Sequence, residues 1–106
     1  MKLEIIHTSN FKMPNFWVYI IHCANNGYYT GYAKHLIQRY QAHVKGVAAK
    51  YTRSFPPTQL AQAWPIYGDK QQAMKIENFI KSLNKREKSL IIKDPELLYK
   101  KIFTEI

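Results

Sequence analysis

Sixteen Lys and Arg against seven Asp and Glu give this 106-residue chain a formal charge of +9 and a pI near 9.7, a balance that favours a polyanionic partner, nucleic acid above all. An apolar fraction of 46% with 22% charged residues describes an ordinary globular domain able to bury one core. Cys23 is the only cysteine and the longest apolar run, residues 16–21, is far shorter than the roughly 20 residues of a membrane span, so a disulfide framework and a spanning helix are excluded and a reducing, cytoplasmic setting is expected.

Residues 1–15 read as a peripheral extension. LEII at 3–6 offers a short strand, which the polar stretch 7–10 and Pro14 keep brief. No cleavable leader is expected, because an acid interrupts the segment and no small-residue site follows an apolar run. FWVYIIHC, 16–23, is β-branched, aromatic and apolar, which predicts a strand buried on both faces. Cys23, at its end, is expected in the core rather than as a nucleophile. Asn25-Asn26-Gly27 tolerates positive φ and predicts a tight hairpin, with YYTGY, 28–32, as the return strand. Gly31 within it permits a bulge or the close approach of another group.

The period then changes. Leu36, Ile37, Tyr40 and Val44 recur near helical spacing, and Gly46 is well placed as the stop. VAAKYTRSFPP reads as a loop that Pro56 and Pro57 fix into an extended exit. TQLAQAWPI predicts a third strand ending near Pro65. Asp69 caps a predicted helix through 70–83 with Ala73, Ile76, Phe79, Ile80 and Leu83 along one side. Asn84 caps a short helix over KREKSLII, and Asp94-Pro95-Glu96 opens a last one. The expected fold is α+β in the order β-β-α-β-α-α, a three-stranded antiparallel sheet flanked by helices. The domain spans 16–92, with a C-terminal helix in 93–106 packed on it.

A constellation emerges from that order. Tyr19 and Tyr29 flank the turn and are expected as cross-strand neighbours. Arg39 and His43 lie one helical turn apart and share a face. Two phenols, a guanidinium and an imidazole beside a sheet would grip and polarise a phosphate, with Arg as the fork for its oxygens and Tyr and His as proton carriers. Glu77, set beside the apolar Ile76 and Phe79 in mid-helix, is a carboxylate in an unusual place for a surface acid. Singly, each of these is ordinary: a strand Tyr packs, an Arg–His pair is solvated, and a helix Glu is half of an ion pair worth little. Their joint spacing is the stronger signal. His7, His22 and His35 lack the paired spacing of a zinc site.

The ordered set resembles the GIY-YIG nuclease superfamily. VYI at 18–20 stands where the family has GIY, and YTG at 29–31 where it has YIG. Arg39 in LIQRYQAH, His43, and Glu77 in AMKIENFIKSL follow. YTGYA, QAHVKG, AKYTRSFPP and IKSLNKREKSLI resemble small stand-alone bacterial proteins that contain little beyond this domain. The resemblance implies an endonuclease that hydrolyses DNA phosphodiester bonds with one Mg²⁺ or Mn²⁺ ion. Carried over by position, Glu77 is the metal ligand and Arg39 holds the scissile phosphate and offsets transition-state charge. Tyr19 or Tyr29 orients or deprotonates the attacking water, His43 belongs to the same cluster, and Gly31 lets the backbone approach closely. A single carboxylate suits one ion that keeps most of its waters. A phenol with a reference pKa of about 10 is a poor base at neutral pH unless cations lower it. Arg39, Lys34 and Lys50 are candidates for that, and His43 is the alternative base.

Departures from the pattern are few. Val18 replaces the first Gly, Thr30 the middle Ile, and Tyr32 a Lys found in some branches. The third strand carries Trp64 where small stand-alone relatives have an acid, a hint of altered substrate contacts or weakened activity. Lys45, Lys50, Tyr51 and Arg53 interleave basic and aromatic side chains as a backbone-tracking groove requires, and Lys81 and Lys85, with Arg86 and Lys88, would extend it. Nothing resembles a groove-inserted recognition helix, so a branched, flap or single-stranded DNA is expected as substrate, in repair or recombination, rather than a base sequence. Two rival readings remain: a non-catalytic nucleic-acid-binding module that retains the fold, and a nuclease that depends on a protein targeting partner. Exposed tryptophan at Trp64 or Trp17 would mark the second.

Overall fold

A computed structural model describes residues 12–105; the strand expected at 3–6 lies outside the described residues. The elements run β1 (Phe16–Cys23), β2 (Tyr28–Ala33), α1 (Leu36–Val44), α2 (Lys50–Ser54), β3 (Pro57–Ile66), α3 (Lys70–Ser82), α4 (Lys85–Lys93) and α5 (Glu96–Glu105). The three strands form one antiparallel sheet in the order β2-β1-β3. β1 takes the centre because its side chains are apolar on both faces, and only a central strand covered from both sides can bury them all. The β1–β2 turn closes with Asn26 at φ 65°, a conformation that Asn tolerates well.

Alternation along β1 divides the protein into two layers. Val18 and Ile20 face a core completed by Trp64, Ile66, Ala73, Ile80, Ile91 and Leu98, drawn from β3, α3, α4 and α5. Tyr19, Ile21 and Cys23 face the opposite way, against Tyr29 and Ala33 of β2 and under Leu36, Tyr40 and Tyr51 of α1 and α2. Cys23 is fully buried, a core residue as expected, and burial pushes its thiol up from the usual range. The helix starts follow the sequence: Asp69 Oδ1 accepts from Gln72 N at 2.9 Å. Asn84 and Glu87 form a reciprocal capping box at 2.8 and 3.0 Å. Gly46, at φ 78°, ends α1.

Three expectations are corrected. The stretch read as a loop contains α2, which makes the order β-β-α-α-β-α-α-α. A single five-residue turn is too short to display a helical period, and tertiary contacts of Tyr51 and Thr52 hold it. On α1 the buried stripe is Leu36, Tyr40 and His43, while Ile37 and Val44 are exposed, because the helix turns its histidine rather than its second aliphatic row to the sheet. Trp64 is only 1% exposed, packs in the apolar core and donates from Nε1 to Pro95 O at 2.8 Å. It therefore neither contacts substrate nor offers a partner surface; Trp17 is half-buried.

Candidate active site

β2 is an edge strand, and near that edge elements from both layers meet. A cleft of about 440 Å³ there is lined by Tyr19, Tyr29, Gly31, Lys34, Arg39, Lys70 and Glu77, with Phe16, Tyr32 and Ala33. α1 delivers Arg39 and α3 delivers Glu77. Four of the five residues carried over from the family pattern thus share one cavity, and His43 stands directly behind Tyr19. The register places Tyr19 opposite Gly31 and Ile21 opposite Tyr29, so the two tyrosines are diagonal neighbours on one face rather than a directly facing pair. Gly31 makes that possible: a Cβ there would lie 2.5 Å from Tyr19 Oη and 2.7 Å from Tyr19 Cζ. What approaches closely at Gly31 is the Tyr19 ring.

Behind the cleft runs a buried polar chain. Tyr19 Oη lies 2.9 Å from His43 Nε2, and His43 Nδ1 lies 2.7 Å from Thr52 Oγ1. Thr52 Oγ1 in turn donates to Ala49 O at 3.3 Å. His43 and Thr52 are each 1% exposed. Tyr29 stands against the other side of the imidazole, ring centres 5.0 Å apart, and stacks on Tyr51 at 6.0 Å. Burial, then the neighbouring Tyr29, pushes the Tyr19 phenol well above its usual range; Arg39 pulls the other way and Glu77 adds to the rise. Arg39 thus acts on Tyr19 in the expected direction, while desolvation outweighs it. Burial and then Arg39 hold the His43 imidazole below its usual pKa, which favours the neutral ring.

Glu77 is largely enclosed, its side chain 13% exposed, and Lys81 Nζ stands 3.5 Å from its Oε2. Among the described residues no three of His, Cys, Asp and Glu converge as a metal cluster. The donor set on offer is therefore one carboxylate in a polar cleft. A hard cation that keeps most of its own waters fits such a site, and zinc, which wants four protein or near-protein ligands, does not. A separate hollow of about 480 Å³, lined by Ile66, Tyr67, Ile76, Phe79, Tyr99 and Ile102 among others, is apolar and contains no acid, arginine or histidine. It offers no comparable chemistry.

Lys34, expected from the sequence to touch nucleic acid as well as to act on a phenol, lines the cleft, and of the other residues proposed to touch nucleic acid Lys45, Lys50 and Arg53 are exposed. The others have structural partners. Tyr51 is half-buried, and its Oη accepts from Asn25 Nδ2 at 2.9 Å in the hairpin turn. Lys85 Nζ donates to Asn26 O at 2.6 Å and sits 5.8 Å above the Tyr28 ring, fastening the same turn from α4. Lys81 pairs with Glu77. Sequence reasoning missed Lys70 and Thr52. Lys70 opens α3 directly after the Asp69 cap, where a cation opposes the helix dipole and only the cap was read, and Thr52 lies in a turn too short to show a pattern.

Comparison with known proteins shows which family the chain falls in. The sequence model of the GIY-YIG catalytic domain matches residues 15–90. A UPF0213 protein of Halalkalibacterium halodurans is 36% identical over 78 residues, covering 74% of this chain and 82% of the relative. UPF0213 proteins of Staphylococcus aureus reach 37% over 82 residues, 77% of this chain and 99% of theirs. One of Vibrio cholerae reaches 35%, covering 76% and 81%. The solution NMR structure of the first of these, given there as Bacillus halodurans, aligns with a TM-score of 0.47 over 74% of this chain and 82% of its own, at 35% identity. With the domain model spanning most of the chain and relatives above 30% identity matched over most of their length, the protein belongs to the GIY-YIG nuclease superfamily, in its UPF0213 branch of small bacterial proteins.

Proposed function

We propose that this protein is a divalent-metal-dependent endonuclease that hydrolyses phosphodiester bonds in DNA. The observation that carries this reading is the convergence of Tyr19, Tyr29, Arg39 and Glu77 on one cleft with His43 bonded to Tyr19 behind it. Lys34, Arg39 and Lys70 hold the phosphodiester in the cleft, and the guanidinium offsets charge on the phosphoryl oxygens as it builds in the transition state. Glu77 would hold one Mg²⁺ or Mn²⁺ ion, which supplies Lewis-acid polarisation of a phosphoryl oxygen when bound. Tyr19 and Tyr29 orient the attacking water beneath the phosphorus. Its oxygen forms the new P–O bond, the opposite P–O bond breaks, the proton lost by the water passes to the buried side of the cleft, and the departing oxygen takes one from solvent. The exposed Lys45, Lys50 and Arg53 track the phosphate backbone. They carry no base code, which supports a branched, flap or single-stranded substrate, as repair or recombination provides, rather than a sequence.

The test incubates labelled duplex, flap, branched and single-stranded DNA with the protein in Mg²⁺, Mn²⁺ or chelator. Metal-dependent cuts are expected on at least one structure, reduced about 100-fold or more by Glu77→Ala and by Arg39→Ala with DNA affinity nearly kept in the Glu77 variant. Binding without cuts on every substrate would leave the non-catalytic module as the better reading.

A further inference from the structure

We infer that Thr52 is a positioning residue that fixes the tautomer of His43 and so sets the direction in which Tyr19 can pass a proton. This rests on the proposed phosphodiester hydrolysis and deepens it, because the GIY-YIG resemblance assigns no role to Thr52.

A threonine hydroxyl has one proton and can accept others. Thr52 Oγ1 directs its proton to Ala49 O, one turn back, at 3.3 Å. With the hydroxyl proton assigned to the carbonyl, which can only accept, the Thr52 oxygen meets His43 Nδ1, 2.7 Å away, as an acceptor, and this assignment puts the ring hydrogen on Nδ1. A neutral imidazole with its hydrogen on Nδ1 has a bare Nε2. That nitrogen faces Tyr19 Oη at 2.9 Å and takes its hydroxyl proton. The chain of donors therefore runs one way, from Tyr19 through His43 to Thr52 and Ala49 O, and Tyr19 keeps its oxygen lone pairs free for the cleft it lines.

That polarity makes Tyr19 an acceptor towards water. As a water proton arrives on Tyr19 Oη, the phenol's own proton leaves for His43 Nε2; the phenol ends as it began, one proton having moved from water to imidazole. The other tautomer would reverse the first bond. His43 would donate to Tyr19, the phenol would have to point its hydrogen at the water, and the inward path would be closed. The hydrogen-bond order thus names His43 the proton acceptor and Tyr19 the relay. α2 exists in the right place because Tyr51 packs against Tyr29 and Phe55 on one side while Thr52 reaches inward on the other. Burial of the pair makes the arrangement stiff, since neither Thr52 nor His43 has water to turn to.

The experiment reads the ring directly, by ¹⁵N chemical shifts of His43 in the full chain, and then compares cleavage. The wild-type protein and Thr52→Ser should show a single neutral tautomer with hydrogen on Nδ1; Thr52→Val, of nearly the same shape, should show a mixture. In cleavage assays Thr52→Val should lower kcat about 10-fold or more with KM for DNA little changed, and Thr52→Ser should restore most of it. A wild-type ring with its hydrogen on Nε2 would overturn the inference without any variant. So would a Thr52→Val protein that folds, keeps the Nδ1 tautomer and cleaves at the wild-type rate. The tautomer measurement holds even if no DNA is cut, so failure of the nuclease reading and failure of this one are told apart.

Discussion

The two faces of β1 differ by one residue in sequence and by nearly everything in character. Val18 and Ile20 meet a wall of aliphatic and indole carbon, where Trp64 has its single polar atom satisfied by Pro95 O. Tyr19, between them, meets an imidazole, a second phenol and a cleft containing a guanidinium and a carboxylate. The apolar face carries stability and, under the proposed function, the aromatic-polar face carries the chemistry. A strand delivers both because its side chains alternate. The lesson is one of separation: a small domain can hold a polar site when the opposite face of the same strand is packed densely enough to anchor it.

The sharpest way to break this comparison is to damage the apolar face alone. Trp64→Ala should destabilise the fold by about 3–5 kcal/mol while leaving kcat at low temperature close to that of wild type; denaturant unfolding and cleavage at 10 °C measure the two. Loss of activity in a fully folded variant would mean the faces are not separable. Gly31→Ala acts on the polar side. Its methyl must displace the Tyr19 ring, and a loss of about 1–3 kcal/mol is expected together with a fall in kcat larger than that of Trp64→Ala.

A pH series sharpens the same contrast. Burial and Arg39 lower the His43 pKa in the folded protein, so the unfolded chain binds a proton at higher pH than the folded one. The stability this site contributes is present above the ordinary histidine value of about 6.5 and falls as pH drops below it towards the folded pKa. The groups facing the imidazole are Arg39 on its own helix, Tyr19 and Tyr29 from the strands and Thr52 from α2. Urea midpoints at pH 7.5 and 5.0 should show a drop that His43→Gln makes shallower; an equal drop in both proteins would assign it elsewhere. The smallest effect is expected from Lys81→Ala. Its ion pair with Glu77 is mostly exposed on the lysine side, 51%, so stability should change by less than about 0.5 kcal/mol, in contrast to the large activity loss expected of Glu77→Ala.

How far the sequence could be read follows the same division. β1, the hairpin turn, both capped helices and the stop at Gly46 were legible because each depends on local chemistry: alternation, positive φ, a cap. Tyr19, Tyr29, Arg39, His43 and Glu77 were legible through their ordered spacing, and the structure brings four of them to one cleft with the fifth bonded behind. Trp64 was misread because a strand tryptophan gives no sign of which face it takes until the register is known. Tyr51 and Lys85 were read as nucleic-acid contacts, and each also holds the hairpin turn through contacts 26 and 59 residues distant, which no local pattern reveals. Thr52 and Lys70 were missed for the same reason, since their meaning arises only when helix and sheet meet.

The strand order also has a consequence for how the molecule comes into being. β1 and β2 are neighbours in the chain, and the buried relay from Tyr19 to Thr52 is complete in sequence before β3 begins. The β1–β3 ladder instead joins residues as far apart as Phe16 and Ile66, and Glu77 follows still later on α3. Contacts that close short loops form sooner than those that close long ones. The phenols and the imidazole thus assemble early, and the carboxylate docks only as the last strand and helix close the sheet. Under the proposed function, a chain caught part-way through folding would hold a phosphate without being able to cut it.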